Sequence, residues 1–167
     1  VVQFDLDSGR PLGILVQSGE GGLAGPSAML RSPEGHLLVA SQQTNRVLEY
    51  DWKTGAFRRV VCEGAGLSGP SSLLLEKGRN LLVASRDTGE ILRYAMDGTF
   101  LGWFVPSGSG GLTRPESMVW GPNGSLFVCN LNTHSVLEFR GLDGSPVDHD
   151  PGRPGVQAAF AVGVGSL

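Results

Sequence analysis

Short apolar runs, each bounded by turn residues, recur three times along the chain. They read "HLLVAS" from His36, "NLLVAS" from Asn80 and "SLFVCN" from Ser125. Each run follows a glycine-containing turn: "SPEGH", "EKGRN" and "GPNGS". Apolar runs of this length between turns are typical of β-strands covered on both faces. The pattern therefore predicts three buried strands, each reached through a tight hairpin.

Further strand patterns surround each of these runs. The segments that follow alternate apolar and polar side chains, which indicates a more exposed strand: "RVLEYD", "EILRYA" and "SVLEFR". A glycine turn and another short strand come next in "TGAFRRVV" and "DGTFLGWFV". The segments that precede each run start at a proline, which is tolerated where a strand begins: "GPSAML", "GPSSLLL" and "RPESMVW". Each unit is thus predicted to contain four short antiparallel strands.

These units repeat at a constant interval. Pro26, Pro70 and Pro115 are separated by 44 and 45 residues, and the corresponding leucines of the buried runs keep the same intervals. A period of about 40 to 50 residues is typical of propellers, in which a four-stranded sheet repeats radially as a blade. The predicted fold class is all-β: a β-propeller of four-stranded antiparallel blades, with about 44 residues per repeat and about 3.8 repeats present.

The repeat also divides the chain. The opening residues match the third and fourth strands of a unit, because Phe4 aligns with Tyr50 and Gly9 with Gly55. The predicted units are the end of a preceding blade (1–22), three blade repeats (23–66, 67–111 and 112–150, the last with a weak final strand) and a divergent tail that could start another blade (151–167). Propellers need about four to eight blades. The chain is therefore predicted to be a partial propeller, or a small ring closed by its termini or by oligomerisation.

Composition and charge narrow the function. The 26 glycines and 10 prolines exclude a mainly helical protein. The formal net charge of -3, without a block of like charges, argues against a nucleic-acid-binding surface. No apolar run approaches the roughly 20 residues of a membrane helix, so membrane insertion is not expected. Cys62 and Cys129 cannot form a disulfide framework, and Cys129 is predicted to occupy the small buried slot filled by Ala40 and Ala84 in the other repeats.

Two long segments resemble NHL-type repeats: "GGLAGPSAMLRSPEGHLLVASQQTNRVLEYDWKTGAF" and "GSGGLTRPESMVWGPNGSLFVCNLNTHSVLEF". The resemblance covers residues 1 to about 144 and extends loosely to the six-bladed gluconolactonase and senescence-marker lactonases and to peptidyl-hydroxyglycine lyases. It implies a propeller that binds a protein through one face or, in the enzymes, a divalent metal in the central channel. The usual Asn-Arg wording survives only as Asn45-Arg46.

The loops between second and third strands are predicted to share one face with the connections between blades. They are polar and differ from repeat to repeat, as binding loops commonly do. The candidate binding residues are Gln42, Gln43, Asn45, Arg86, Asp87, Asn130, Asn132 and His134. An alternative interpretation is that these side chains only cap strand ends with hydrogen bonds.

A metal site is the alternative use of the third loop. Asn130, Asn132 and His134 occupy alternate positions, and such oxygen and nitrogen ligands suit calcium or a transition metal. No carboxylate lies near them in sequence, so no cofactor is predicted, with a divalent cation such as calcium as the alternative.

Catalysis finds little support in the sequence. The G-x-S-x-G nucleophile elbow is absent. Ser27 and Ser71 follow Gly-Pro, but the third repeat has Glu116 at that position, so we interpret the position as structural. The predicted function is a non-catalytic scaffold that binds a protein or peptide. The alternatives are a segment of a metal-dependent lactonase-like or lyase-like enzyme, or a structural subunit that associates through open blade edges.

Overall fold

The computed structural model describes residues 1–76, 80–149 and 159–162, the last as backbone only. A two-stranded sheet comes first, formed by β1 (Val2–Phe4) and β2 (Pro11–Ile14). The first full sheet contains β3 (Pro26–Arg31), β4 (Leu37–Ser41), β5 (Arg46–Tyr50) and β6 (Phe57–Glu63). The second contains β7 (Pro70–Glu76), β8 (Asn80–Ser85), β9 (Glu90–Ala95) and β10 (Phe100–Val105). The third contains β11 (Pro115–Trp120), β12 (Leu126–Asn130), β13 (Ser135–Phe139) and β14 (Ala159–Val162).

Every sheet is an antiparallel meander in which neighbours in sequence are neighbours in space. Single-turn 3₁₀ helices occupy four connections: Glu20–Gly22, Gln42–Thr44, Ser109–Gly111 and Leu131–Thr133. The first strands of the full sheets, β3, β7 and β11, contact one another in order. Repetition of the same four-stranded sheet around its innermost strand is the arrangement of propeller blades. The predicted all-β fold, a partial propeller, is confirmed. Across the described residues no helix is long and apolar enough to cross a membrane.

The last strand comes from the C-terminal tail. β14 pairs with β13, with Ser135 opposite Val162 and Val136 opposite Ala161. It therefore forms the outer edge of the third full sheet, within the segment 151–167 that was predicted as a divergent tail. Most of that tail lies outside the described residues.

Adjacent sheets pack through two kinds of face. We call the side of a sheet that contacts the next sheet in chain order its forward face, and the opposite side its backward face. On the forward face of the first full sheet, Ala40 and Val47 are buried in one core cluster with Leu92 and Tyr94 from the backward face of the second. The second and third full sheets share an equivalent cluster.

Hydrogen bonds join the innermost strands as well. The Ser27 hydroxyl donates to the carbonyl of Pro70 (2.6 Å), and the Ser71 hydroxyl donates to that of Pro115 (2.8 Å). Each bond connects the start of one inner strand with the start of the next. The serine that follows Gly-Pro is thus a structural residue in the first two full sheets, which explains its repetition.

The prediction of a buried slot for Cys129 is wrong. Ala40 and Ala84 are fully buried because the next sheet covers them. Cys129 is the equivalent residue on the forward face of the last sheet, where no further sheet packs among the described residues, and it is exposed. Cys62 is buried, and this burial raises the pKa of its thiol to about 12 although the nearby Arg59 charge opposes the shift.

This difference predicts the reactivity of the two thiols. At neutral pH and low protein concentration, we expect a thiol reagent such as DTNB to titrate one group in the folded chain and two in guanidinium, because only an exposed thiolate reacts. Cys129→Ser is the control and should leave no reactive thiol in the folded state. Rapid reaction of two thiols in the folded wild type would contradict the burial of Cys62.

Candidate functional site

The loops between second and third strands lie against the segments that lead into the first strands. The backbone N–H of Gln42 donates to the carbonyl of Gly25 (3.0 Å), and that of Leu131 donates to the carbonyl of Arg114 (2.9 Å). The second full sheet makes the same bond, from Arg86 to Gly69. We call the surface formed by residues 42–45, 86–89 and 131–134 together with 24–25, 68–69 and 113–114 the loop face. All the predicted binding residues lie on it or at its base.

A buried polar side chain at the end of each second strand fixes this geometry. The Ser41 hydroxyl accepts a hydrogen bond from the N–H of Ala24 (2.9 Å) and donates to its carbonyl (3.1 Å). The Ser85 hydroxyl accepts from the N–H of Ser68 (2.9 Å) and donates to its carbonyl (3.2 Å). Each serine is fully buried. We call these residues, together with Asn130 in the third full sheet, latch residues, because each holds its loop to the segment before the first strand.

Asn130 performs the same role with more bonds. Its Oδ1 accepts from the N–H groups of Thr113 (3.1 Å) and Arg114 (2.8 Å) and from the Thr113 hydroxyl (3.3 Å). Its Nδ2 donates to the carbonyl of Gly111 (3.0 Å) and to the Thr133 hydroxyl (2.6 Å). Of the eight predicted binding residues, this one has all its hydrogen-bonding capacity engaged within the chain.

Asn45 and His134 close their loops in the left-handed conformation. Their φ angles are 56° and 50°, and Gly89 holds the same position in the second full sheet with φ 75°. The Oδ1 of Asn45 also accepts from the N–H of Gly69 (2.8 Å), which ties the loop to the next blade. Asparagine and histidine adopt this conformation more readily than most residues, so part of their role is structural, as the capping interpretation expects. Both side chains are exposed.

The middle residue of each loop projects a different exposed side chain. These residues are Gln43, Asp87 and Asn132. The side chains of Gln43 and Asp87 lie against Gly25 and Gly69, so closely that no Cβ would fit there. Asp87 pairs with Arg86, whose Nε lies 3.1 Å from its Oδ1, whereas Asn132 makes no side-chain hydrogen bond to any described residue.

The third full sheet departs from the others where its inner strand begins. Arg114 and Glu116 replace the glycine and serine of the earlier repeats. Arg114 Nε and Glu116 Oε2 are buried, and within the described part of the chain neither has a hydrogen-bond partner. Buried orphan atoms of opposite charge are costly, which marks this position as special. Sequence reasoning missed it; the signal was a pair of opposite charges two residues apart where the other repeats are neutral.

The third loop is poorly arranged to bind a cation. The Asn130 oxygen already accepts three protein hydrogen bonds, which leaves no lone pair for a metal. Over residues 1–76 and 80–149, no group of three His, Cys, Asp or Glu side chains could hold a metal ion. The alternate spacing of Asn130, Asn132 and His134 therefore does not produce a converging ligand set.

A cavity of about 600 Å³ opens on the opposite side of the sheets. Its lining combines apolar side chains with a few polar groups and includes Leu75, Trp120, Asn123, Arg140 and Leu142. Trp120 Nε1 donates to the carbonyl of Leu75 (2.8 Å), and Asn123 donates to Glu138 (3.3 Å). The polar groups at its base thus hold two blades together, which makes the cavity a gap in the packing between blades.

No protein-family model and no curated protein sequence matches the chain. Solved structures do. The structure of a streptogramin B lyase superimposes with a TM-score of 0.62 and 19% identity over 85% of this chain and 45% of that chain. An oxidoreductase described as a glucose dehydrogenase from Thermus thermophilus gives 0.61 and 18% over 85% and 52%. A protein of unknown function from Bacteroides caccae gives 0.55 and 24% over 84% and 50%. The chain spans about half the length of these structures, and at this identity the likeness shows the propeller fold alone.

Proposed function

We propose that this chain is part of an NHL-like β-propeller that binds a protein or peptide through the loop face and performs no catalysis. The observation that carries the proposal is the division of labour within each loop. A buried latch residue holds the loop in place, while the exposed middle residue is free of that duty and differs in every blade: Gln43, Asp87 and Asn132. Rigid support beneath variable polar side chains is the usual construction of a recognition surface.

The chemistry of these side chains suits a polypeptide. Gln43 and Asn132 each offer an amide that can donate and accept, and Asp87 offers a carboxylate that accepts. They occupy equivalent positions on three consecutive blades, so together they form an arc across the loop face. An extended peptide that crosses from blade to blade would present N–H and C=O groups to each of them in turn.

The second candidate is a segment of a lyase-like or lactonase-like propeller enzyme. The orphan charges of Arg114 and Glu116 at the start of an inner strand favour it, because functional sites retain such unpaired buried groups. The likeness to a streptogramin B lyase is compatible with it but concerns the fold. The metal ligands would have to come from outside the described residues.

The test is peptide selection followed by substitution. We would select peptides from a random displayed library on the immobilised chain and measure their dissociation constants by biolayer interferometry. The triple variant Gln43→Ala/Asp87→Ala/Asn132→Ala is expected to bind the selected peptides at least ~10-fold more weakly, about 1.4 kcal/mol, because it removes the side chains that contact the ligand.

The matched control is Glu34→Ala/Lys53→Ala, two exposed residues in turns at the other ends of the strands. It should leave affinity within about twofold, as expected for residues outside the contact. Equal binding by the triple variant and wild type would overturn the loop-face assignment. Stoichiometric uptake of Ca²⁺ or Mn²⁺ in calorimetry, without peptide binding, would favour the enzyme candidate instead.

A further inference from the structure

The last sheet exposes residues that are covered in every earlier full sheet. Val119 in β11 is 59% exposed, whereas its counterparts Leu30 and Leu74 pack against the core clusters of the following sheets. Cys129 in β12 is exposed, whereas its counterparts are fully buried. The forward face of the last sheet therefore has the composition of an inter-blade interface and no described partner.

The first sheet shows the same feature on its other side. Val2 and Phe4 in β1 are 50% and 60% exposed. Their counterparts on the backward faces of the full sheets are among the best buried side chains of the chain: Leu48, Tyr50, Leu92, Tyr94, Leu137 and Phe139. The neighbouring Ile14 in β2 is also exposed. This backward face is an inter-blade surface as well.

The two end faces are complementary halves of an interface that the chain already builds internally. Between the first and second full sheets, forward-face residues such as Val47 pack with backward-face residues such as Tyr94. The corresponding residues at the ends are Val136 and Phe4. Their side chains are of the same kind and come from the same strand positions, so the end faces can pack as the internal faces do.

We propose that two copies of this chain associate head to tail, with the forward face of β11, β12 and β13 in each copy against the backward face of the β1–β2 sheet in the other. A two-fold arrangement satisfies both contacts at once and leaves no apolar end exposed, whereas an open head-to-tail chain would continue into a filament. Two copies supply eight sheets, which is within the range of about four to eight blades in closed propellers.

The comparison with solved structures supports a ring of this size. The chain covers 45% of the streptogramin B lyase chain and 52% of the Thermus oxidoreductase chain, so two copies provide about the length of one such propeller. The contact also explains why exposed apolar residues concentrate on the two end faces, since contiguous apolar patches mark association surfaces.

The first experiment is the mass of the chain in solution, measured by light scattering after size exclusion over a wide concentration range. We expect twice the 17.6 kDa of one chain. Val119→Glu on the forward face and Phe4→Glu on the backward face should each give monomers, because a buried unpaired carboxylate is strongly unfavourable at an apolar contact. Leu101→Glu, at an equally exposed apolar residue of the outer strand β10, is the control and should remain dimeric.

A mixing experiment tests the head-to-tail geometry. Val119→Glu chains retain a wild-type backward face, and Phe4→Glu chains retain a wild-type forward face. Their equimolar mixture should therefore form heterodimers through one intact contact, although each variant alone is monomeric. A back-to-back dimer of either face with itself would not be restored by mixing.

Other results would overturn the proposal. A wild-type monomer at all concentrations, which is expected if a further blade of a longer polypeptide covers these faces, would do so. Species that grow beyond two copies, or dimers that persist in both glutamate variants, would also do so. Independently of any substitution, the reaction of Cys129 with a thiol reagent must slow as wild-type concentration rises, because that thiol lies within the proposed contact.

Discussion

Replacing Gly55 by alanine is expected to lower the free energy of unfolding by about 4 kcal/mol. Gly55 has a φ of 73°, and a Cβ built on it overlaps the carbonyl oxygen of Leu15 in the neighbouring sheet. Alanine would therefore add left-handed backbone strain to a clash between two backbones that are both held by strands. Gly98 and Gly144 approach the carbonyls of Val61 and Phe104 in the same way.

Gly9 is the matched control for this substitution. It occupies the same turn position with a φ of 66°, but no atom lies within 4 Å of an added Cβ. Gly9→Ala should therefore cost only the conformational strain, about 1 kcal/mol. Urea unfolding at low protein concentration, analysed at constant m-value, measures both losses. Equal losses for the two variants would show that the close approach of the sheets contributes nothing.

Asn130→Ala is expected to destabilise the chain by about 3 kcal/mol. The substitution leaves the N–H groups of Thr113 and Arg114 and the carbonyl of Gly111 without their partner, in a buried segment that water cannot easily reach. The cost of orphaned buried groups exceeds the net gain from the bonds themselves. Unfolding in urea, followed by circular dichroism, is again the measurement.

Two variants in the same loop control for this result. Asn132→Ala removes the same chemical group from an exposed position without a side-chain hydrogen bond to any described residue, so it should change stability by less than about 0.5 kcal/mol. Asn130→Ser introduces the latch residue of the first two full sheets and should recover part of the loss. If Asn130→Ala proved as mild as Asn132→Ala, the latch would have no energetic role.

The repeated blade was predictable because strand periodicity and turn chemistry are local properties. An apolar run before an alternating segment, with glycine between, specifies a hairpin whatever the rest of the chain does. Three copies at one interval then specify the propeller. β14 escaped this reasoning because its connection is longer: residues 51–56 separate β5 from β6, whereas residues 140–158 separate β13 from β14.

The roles of individual loop residues were harder to predict. Ser41 and Gln42 are both small or medium polar residues in a turn, and only the positions of the Ala24 backbone atoms show that Ser41 is the latch. The exposure of Cys129 depends on the absence of a covering sheet among the described residues, which is a property of neighbours and not of the repeat. That the loop face binds a ligand remains a prediction, which the substitutions above test.

The latch has a consequence for how such a chain can change over time. In every full sheet its bonds close within one unit of the repeat, between residues about 17 apart in sequence. A tandem duplication of one unit therefore carries a complete latch with it, and the new copy can fold before it has acquired any task. The exposed middle residue of its loop is then free to diverge. A propeller built in this way can acquire new recognition surfaces one blade at a time without putting its fold at risk.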